Sequence, residues 1–342
     1  MPSALRTRRL QCGLTQAELA QRAGVSRQLV AAVEAGQNTP GVDAAIKLAQ
    51  ALGGSVEQLF AVSPTPVAPA LGDPLPDGAL VRVGRVGDRL VAAELADHGT
   101  SGGGWAAADA IFARGRLQLF SPARIDRFVL AGCDPALGIA ETMLVGLGPS
   151  SLLALSASTD AALDALGDRR VHAAAVHGPP GRLPSPPARA RRLHLANWQV
   201  GLALAPGLAA ETLEAVLEHE VMIVQRGPGA ASQQALDRAA LRLGREIAEG
   251  PKAAGHIEAA RLAAILGCAA VTTEAAAHAF NLRFLPVEQH TVEIWIADEW
   301  SHHPAVEPLG NLLASSSFTD RVGALGGYDL AQSGTLVGPG QR

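Results

Sequence analysis

Residues 14–40, LTQAELAQRAGVSRQLVAAVEAGQNTP, predict two short helices joined by a tight turn. Thr15 suits the N-cap of the first helix, and Glu18 follows at the spacing of a capping box, in which each side chain accepts a hydrogen bond from the backbone of the other residue. Gly24 stands where the chain has to reverse, because glycine readily adopts the left-handed backbone of such a turn. The first helix therefore has a defined start and a defined end.

A second helix is predicted for residues 27–35. Ser26 is its expected N-cap, and Gly36 is expected to end it. Val30 and Val33 lie three residues apart, so both should face inward on one side of this helix. Helix, glycine turn and helix together form a helix-turn-helix arrangement, in which the second helix enters the major groove of DNA.

With these features, residues 3–60 resemble the Xre/Cro family of phage-repressor-type domains. The resemblance implies an all-α domain that binds double-stranded operator DNA. By this resemblance, Gln16 would contact a DNA phosphate at the start of the first helix. The other contact residues would lie at the start of the recognition helix and on its groove-facing side. The residues expected to contact DNA are Gln16, Ser26, Arg27, Gln28, Leu29 and Ala31. A protein-interaction module or an antitoxin-like domain built from the same helices is the alternative.

Charge is unevenly distributed along the chain. The 342 residues carry a formal net charge of −4, so the whole molecule does not have the composition of a polyanion-binding protein. Residues 1–60, however, hold six basic and four acidic side chains, and Arg6, Arg8 and Arg9 of the first predicted helix are expected to be exposed. This local excess suits a DNA-binding domain that doubles its charge by forming a homodimer.

Three isolated cysteines, Cys12, Cys133 and Cys268, give no CxxC spacing. The sequence therefore argues against a disulfide framework and against a zinc site, and we interpret the cysteines as small buried side chains. His177, His256 and other histidines also lack helical ligand spacing, so we expect no metal site. No secretion signal or membrane-length apolar run is visible, which predicts a cytoplasmic protein.

Composition changes twice after the helical segment. Residues 62–78 contain five prolines and are predicted to be a linker between domain 1–61 and a second domain, 79–338. From residue 79, short apolar runs alternate with Ala/Leu-rich stretches, which predicts a mainly parallel sheet with helices on both faces. This prediction includes a helix at 105–111 and separate strands at 191–195, 199–205, 283–287 and 291–297.

Four junctions between a predicted strand and a predicted helix carry small or polar residues. They span residues 131–135, 156–160, 225–232 and 271–274. Ligands of open α/β sheets collect at the carboxyl ends of strands, and a helix N-terminus there offers free N–H groups to an anion. Each junction alone is also explained by ordinary helix capping.

Together with the segments AGCDPAL, VQRGPGAASQQALD and LGGYDLAQSG, these junctions resemble a periplasmic-binding-protein-like domain related to molybdate-binding proteins, which is found fused to Xre-type domains. The resemblance covers about residues 81–337. It implies an α/β two-lobe domain of type II, with the second lobe at about 201–284, that closes on a small oxyanion. The expected ligand contacts are Asp134 (through its backbone), Ser156, Ser158, Thr159, Arg226, Gly229, Ser232 and Thr273.

The sequence thus predicts an all-α helix-turn-helix domain followed by an α/β two-lobe sensor domain. The expected function is that of a one-component transcription regulator, not an enzyme. It would have molybdate or tungstate as effector and no other cofactor. One loop departs from the family, because residues 229–233 read GAASQ where the family has Gly-Ser-Gly-Thr-Arg. Another anion or a small organic ligand is therefore an alternative, as is an enzyme or scaffold of molybdenum-cofactor metabolism with an accessory DNA-binding domain.

Overall fold

The computed structural model describes residues 4–35, 37–60, 67–72, 74–95, 100–101, 104–105, 107–121, 124–144, 150–187 and 189–338. The chain divides into two compact units, residues 1–65 and 66–342. Within the described ranges, no helix is long and apolar enough to cross a membrane.

The N-terminal unit is helical. Its helices are α1 (Ala4–Gln11), α2 (Gln16–Ala23), α3 (Arg27–Glu34), α4 (Val42–Ala51) and α5 (Val56–Phe60). The predicted capping box is confirmed, since Thr15 Oγ1 accepts from the Glu18 N–H and Glu18 accepts from the Thr15 N–H. Gly24 ends α2 at φ 63°, as predicted. Gly36, the expected end of α3, lies outside the described residues.

The core of this unit is formed by one face of each helix, with Leu5, Leu19, Val30 and Leu48 at most 1% exposed. One exposure prediction is wrong. Arg9 is only 7% exposed, because its guanidinium forms a buried ion pair with Glu34 of α3.

The C-terminal unit begins with a five-stranded sheet. It consists of β1 (Val67–Pro69), β2 (Ala79–Val86), β3 (Arg89–Glu94), β6 (Ala110–Ala113) and β7 (Arg116–Leu119), in the order β1-β3-β2-β6-β7. The short strands β4 (Thr100–Ser101) and β5 (Gly104–Trp105) pair with each other.

The structure differs from the predicted elements at two places in this region. Part of the predicted linker forms β1, which pairs in parallel with β3. The helix predicted at 105–111 is not found among the described residues, because Trp105 lies in β5 and β6 starts at Ala110 and turns back into β7. The two residues of that turn, Arg114 and Gly115, both have positive φ, which is the backbone of the tight hairpin turns that favour antiparallel strands.

The second sheet has nine strands. They are β8 (Phe128–Gly132), β9 (Leu152–Ser156), β10 (Ala173–Gly178), β11 (Ala190–Leu204), β12 (Ile223–Arg226), β13 (Lys252–Ala253), β14 (Ala269–Thr273), β15 (Arg283–Ala297) and β16 (Tyr328–Asp329). Their order is β13-β12-β14-β11-β15-β10-β8-β9, with β16 on β11.

This sheet is mixed, not mainly parallel as predicted. The two segments expected at 191–205, and likewise those at 283–297, are single fifteen-residue strands that pair antiparallel along their full length. Two register shifts interrupt this pairing. One leaves Leu195 of β11 as the extra residue and the other leaves Val287 of β15, and both strands continue past these bulges.

Helices cover the sheet and link its strands. They are α6 (Ala136–Met143), α7 (Thr159–Gly167), α8 (Leu213–Glu218), α9 (Ala231–Arg242), α10 (His256–Leu266), α11 (Glu274–Ala279), α12 (Val306–Leu313) and α13 (Ser316–Gly323), with a 3-10 turn at Asp298–Trp300.

The long pair β11–β15 separates two groups of parallel strands. Strands β8, β9 and β10 lie beyond β15, and β12, β13 and β14 lie beyond β11. We call these groups, with the helices that connect them, the first and the second lobe. The junctions predicted to hold a ligand are at the carboxyl ends of strands in both lobes.

Candidate functional site

Helix α3 presents a polar start to solvent. Ser26 Oγ accepts from the Leu29 N–H at 3.1 Å and so caps the helix, while the side chains of Arg27 and Gln28 are exposed. Leu29 is half-buried and packs against the helical core, and Ala31 is half-buried. Of the residues predicted to contact DNA on this helix, Arg27 and Gln28 are therefore the ones free to reach base edges.

Gln16, the predicted phosphate contact, is half-buried and forms a hydrogen bond within the unit. Its Nε2 donates to Glu34 Oε2 at 2.9 Å, and Glu34 also accepts from Arg9 Nε at 2.6 Å and Nη2 at 3.0 Å. Arg9 Nη1 donates in turn to the Leu14 carbonyl. Burial would raise the pKa of Glu34, but the hydrogen bonds from Arg9 and Gln16 and the charge of Arg9 lower it.

Loops at the carboxyl ends of strands in the two lobes face each other in the C-terminal unit. The Asp160 N–H lies 3.3 Å from the Gly229 carbonyl oxygen, and Cys133 Sγ lies 3.5 Å from His256 Nε2. A Cβ on Gly255 would stand 3.6 Å from Ser156 Oγ. These contacts bring three of the four predicted junctions together, and we call loops 133–135, 156–160, 226–232 and 254–256 the interlobe site.

Several polar atoms of the interlobe site are buried and, among the described residues, have no hydrogen-bond partner. Three belong to predicted ligand residues: Arg226 Nη1, Thr159 Oγ1 and Ser232 Oγ. The fourth is His256 Nδ1. Arg226 is 2% exposed and is fixed by its other nitrogens, with Nε donating to the Ala253 carbonyl at 3.1 Å and Nη2 to the Ala254 carbonyl at 2.8 Å. The Nη1 atom, which carries two N–H donors, has no hydrogen-bond partner among the described residues.

Other predicted ligand residues have structural partners. Ser158 Oγ caps α7 by accepting from the Ala161 N–H, and Thr273 Oγ1 caps α11 by accepting from the Ala276 N–H. Ser156 is exposed at the end of β9. Gly229 has no side chain, and its carbonyl accepts from the Asp160 N–H at 3.3 Å. The capping hydroxyls of Ser158 and Thr273 act as acceptors and keep their own O–H as a donor.

Asp134 organises the first-lobe loop through its carboxylate. Oδ1 accepts from the Ala136 N–H and from the Tyr328 hydroxyl, both at 2.8 Å, and Oδ2 accepts from Trp198 Nε1 at 2.8 Å. Burial raises the pKa of Asp134, and these hydrogen bonds oppose the rise. The side chain therefore positions the loop, while its predicted contact with ligand concerned only its backbone.

A cluster that the sequence did not reveal lies beside Arg226. Cys133 Sγ is 3.3 Å from His177 Nε2 and 3.5 Å from His256 Nε2. His177 Nδ1 is 2.8 Å from His290 Nδ1, and His290 Nε2 is 2.8 Å from Glu288 Oε1. The residues come from four segments that are far apart in the sequence, so no local spacing signals them.

Burial dominates the titration of this cluster. It raises the pKa of the Cys133 thiol, which the charge of Arg226 opposes, and it lowers the pKa values of His177 and His256 well below their ordinary value. The two imidazoles are therefore neutral at neutral pH and carry lone pairs.

A cavity of about 430 Å³ lies among a different set of residues. It is lined by Gly181, His194, Asn197, Thr291, Glu293, Gln332, Thr335, Leu336 and Val337. None of the predicted ligand residues is among them. This cavity is a second place at which a small organic molecule could bind.

Known protein families match both units of the chain. A helix-turn-helix family model matches residues 5–59, and a model described as a PBP superfamily domain matches residues 146–314. An uncharacterized HTH-type transcriptional regulator of Methanothermobacter thermautotrophicus is 43% identical over 61 residues, which are 18% of this chain and 88% of that protein.

Two solved structures are also similar to parts of the chain. The restriction-modification controller protein C.AhdI from Aeromonas hydrophila is 38% identical over 17% of this chain and 86% of that one, with a TM-score of 0.16. A putative phosphate ABC transporter substrate-binding protein with bound phosphate, from Clostridium perfringens, is 9% identical over 59% of this chain and 98% of that one, with a TM-score of 0.48. From the family matches and the related regulator, the chain belongs to the helix-turn-helix transcriptional regulators, and it joins their DNA-binding domain to a PBP-like domain.

Proposed function

We propose that this regulator senses a small oxyanion in its interlobe site, with molybdate and tungstate as the first candidates. The observation that carries the proposal is the set of buried, unpartnered polar atoms on Arg226, Thr159 and Ser232. A buried donor without a partner costs about 1–3 kcal/mol, so three of them in one site favour a ligand rich in acceptors. A tetrahedral dianion has acceptors on every side and no donors.

Two helix N-termini strengthen the case for an anion. Helices α9 and α10 start at the interlobe site, and no side chain caps either of them, at Ala230 or at Gly255. Their first N–H groups are therefore available to an anion, which the helix dipole also favours. Ala230 stands where the family has serine and Gln233 where it has arginine, so one hydroxyl and one cationic donor are lost, while Arg226 supplies a cation.

Calorimetric titration of the full chain tests this proposal. Chelator-treated protein is titrated with molybdate, tungstate and sulfate, and we expect micromolar or tighter binding of the larger anions with weaker binding of sulfate. Arg226→Gln and Ser232→Ala should each weaken binding, because each removes a donor, whereas Thr212→Ala removes a hydroxyl at a helix start away from the site. Absence of heat with all three anions would reject the oxyanion. If Arg226→Gln binds the anion as tightly as wild type does, the anion binds at another site, and the 430 Å³ cavity is the next place to examine.

Operator recognition is proposed to depend on Arg27 and Gln28. Each can form a bidentate contact in the major groove, Arg with guanine and Gln with adenine, so either alanine substitution should cost about 1–3 kcal/mol of binding and relax specificity at one base pair. The operator is first recovered by selection from genomic fragments, and affinity is then measured by fluorescence anisotropy at fixed salt. Arg116→Ala, an exposed arginine of the other unit, is the control. If both alanine variants bind the operator with wild-type affinity, a different surface of the protein recognises the DNA bases.

A further inference from the structure

The cluster of Cys133, His177 and His256 holds three ligand atoms that all lie within 4.8 Å of one another. We propose that these residues form a binding site for a thiophilic divalent metal of the zinc type. Thiolate and imidazole are the donor types that Zn²⁺ prefers, and the set contains no oxygen donor of the kind that Mg²⁺ or Ca²⁺ requires.

The distances fit a tetrahedral ion. With a metal–sulfur bond of about 2.3 Å and metal–nitrogen bonds of about 2.0–2.1 Å, tetrahedral geometry places sulfur and nitrogen about 3.6 Å apart. The Cys133 Sγ atom lies 3.3 Å from His177 Nε2 and 3.5 Å from His256 Nε2. Both sulfur–nitrogen distances are therefore within a few tenths of an ångström of those in a tetrahedral site.

Hydrogen bonding explains this arrangement less fully. A thiol has one proton, so it can donate to only one of the two imidazoles that face it. The second contact then needs an imidazole N–H to donate to sulfur, which is a weak acceptor. Both imidazoles face the sulfur through Nε2. A metal ion bound to the sulfur and to the two Nε2 lone pairs would account for both contacts.

The surroundings of His177 set the tautomer that a metal needs. Glu288 is held by Arg238 Nη2 at 2.5 Å, and its Oε1 accepts from His290 Nε2–H. His290 Nδ1 is then a lone pair, so the 2.8 Å contact makes His177 donate through Nδ1–H. The Nε2 lone pair of His177 is thereby left facing Cys133. Such outer hydrogen bonds, ending on a carboxylate, typically orient metal-bound histidines.

The ligands come from both lobes. Cys133 follows β8 and His177 lies on β10, both in the first lobe, whereas His256 is the first residue of α10 in the second. A bound metal would therefore connect the lobes directly. Three protein ligands leave a fourth position for a water molecule or an anion.

Cobalt titration tests the site without relying on regulation. Full-length protein is stripped with chelator, dialysed and titrated with Co²⁺, and the expected result is one equivalent bound with tetrahedral absorption and a thiolate-to-cobalt charge-transfer band. Zn²⁺ should displace Co²⁺ and abolish the spectrum. No charge-transfer band in folded wild-type protein would overturn the proposal.

Variants assign the ligands. Cys133→Ser and His256→Gln should remove the charge-transfer band or weaken Zn²⁺ binding by about 100-fold or more, since removal of supporting residues alone costs up to about that much. Cys12→Ser, an exposed thiol of the other unit, and His278→Gln, an exposed histidine, should bind like wild type. Circular dichroism establishes that each variant is folded, and a band that persists in Cys133→Ser would also overturn the proposal.

The metal proposal and the oxyanion proposal can be tested independently of each other. Oxyanion titrations are done in chelator, and cobalt titrations are done without oxyanion. Loss of one signal with retention of the other therefore identifies which proposal is wrong.

Discussion

Glu34 connects three helices of the DNA-binding unit through one buried carboxylate. It pairs with Arg9 of α1 and accepts from Gln16 of α2, and the side chains of Glu34 and Arg9 are only 3% and 8% exposed. Because the carboxylate lies on the recognition helix α3, this network fixes the position of that helix against α1 and α2.

Glu34→Gln should destabilise the helical unit strongly. The substitution leaves the Arg9 guanidinium buried without a counter-charge, and breaking one partner of a buried pair costs about 3–5 kcal/mol. Hydrogen exchange of amides in residues 4–60, measured by mass spectrometry, should report a lower opening free energy. Asp43→Asn, which breaks the exposed pair with Lys47, should change it by less than about 1 kcal/mol. Equal protection in wild type and Glu34→Gln would refute a stabilising role.

His172 should make the C-terminal unit sensitive to acid. It is 1% exposed, its Nδ1 accepts from the Val129 N–H at 2.8 Å, and its ring stacks on Phe128. Burial, and then repulsion from His303, lower its pKa from 6.5 to about 3. Between these two values the unfolded chain binds a proton that the folded chain does not, so stability falls as pH falls, by about 1.4 kcal/mol per pH unit for this residue.

His172→Asn tests this linkage, because asparagine keeps an acceptor for the Val129 N–H but cannot take up a proton. The variant should be less stable at pH 7, because it lacks the contacts of the imidazole ring. Its stability should nevertheless fall less steeply between pH 6.5 and pH 5. Urea unfolding at several pH values measures both quantities. The exposed His278→Asn is the control, and an unchanged slope in His172→Asn would contradict the assignment.

At the scale of elements, the long strands β11 and β15 depend on a close approach at Gly201. A Cβ there would lie 2.1 Å from the Leu285 carbonyl oxygen and 2.6 Å from the Phe284 ring. The pairing register shifts between Val200 and Gly201, so this glycine stands at the bulge that lets β11 continue from the first lobe to the second.

Gly201→Ala should therefore lower the stability of the C-terminal unit by about 1–3 kcal/mol, the usual cost of overpacking, because backbone must move to accept the methyl group. Gly138→Ala is the matched control, since its Cβ would meet nothing within 4 Å and alanine stabilises a helix interior by about 0.5–1 kcal/mol. Thermal unfolding followed by circular dichroism measures both. If the unfolding midpoint of Gly201→Ala is equal to or higher than that of wild type, the two strands can move apart to accept the methyl group without loss of stability.

At the scale of the whole molecule, sensing requires that ligand and operator affect each other's binding. If an effector changes operator affinity by some factor, the operator must change effector affinity by the same factor. We expect equal factors from anisotropy titrations with and without effector and from calorimetry with and without operator. A ligand that binds the interlobe site but leaves operator affinity unchanged would contradict the proposed sensor role, because it would not distinguish the two states.

The sequence by itself determined the features that depend on near neighbours. The capping box of Thr15 and Glu18, the left-handed Gly24 and the helical periodicity of α2 and α3 all involve residues a few positions apart, which is the range over which helices form their hydrogen bonds. The same holds for Ser158 and Thr273, which the sequence placed at helix starts. It also placed Arg226 at the end of a strand and Thr159 and Ser232 at the starts of helices, because strand ends and helix starts can be predicted locally.

Tertiary structure alone decided what those residues have as partners. Cys133 meets His177 and His256, which are 44 and 123 positions away, and Arg9 meets Glu34 across 25 positions. Strands β11 (Ala190–Leu204) and β15 (Arg283–Ala297) are continuous because each is the other's ladder partner, a fact absent from either segment alone. Burial and long-range pairing depend on how distant segments pack, so the unpartnered donors and the Cys133 cluster could emerge only in the folded chain.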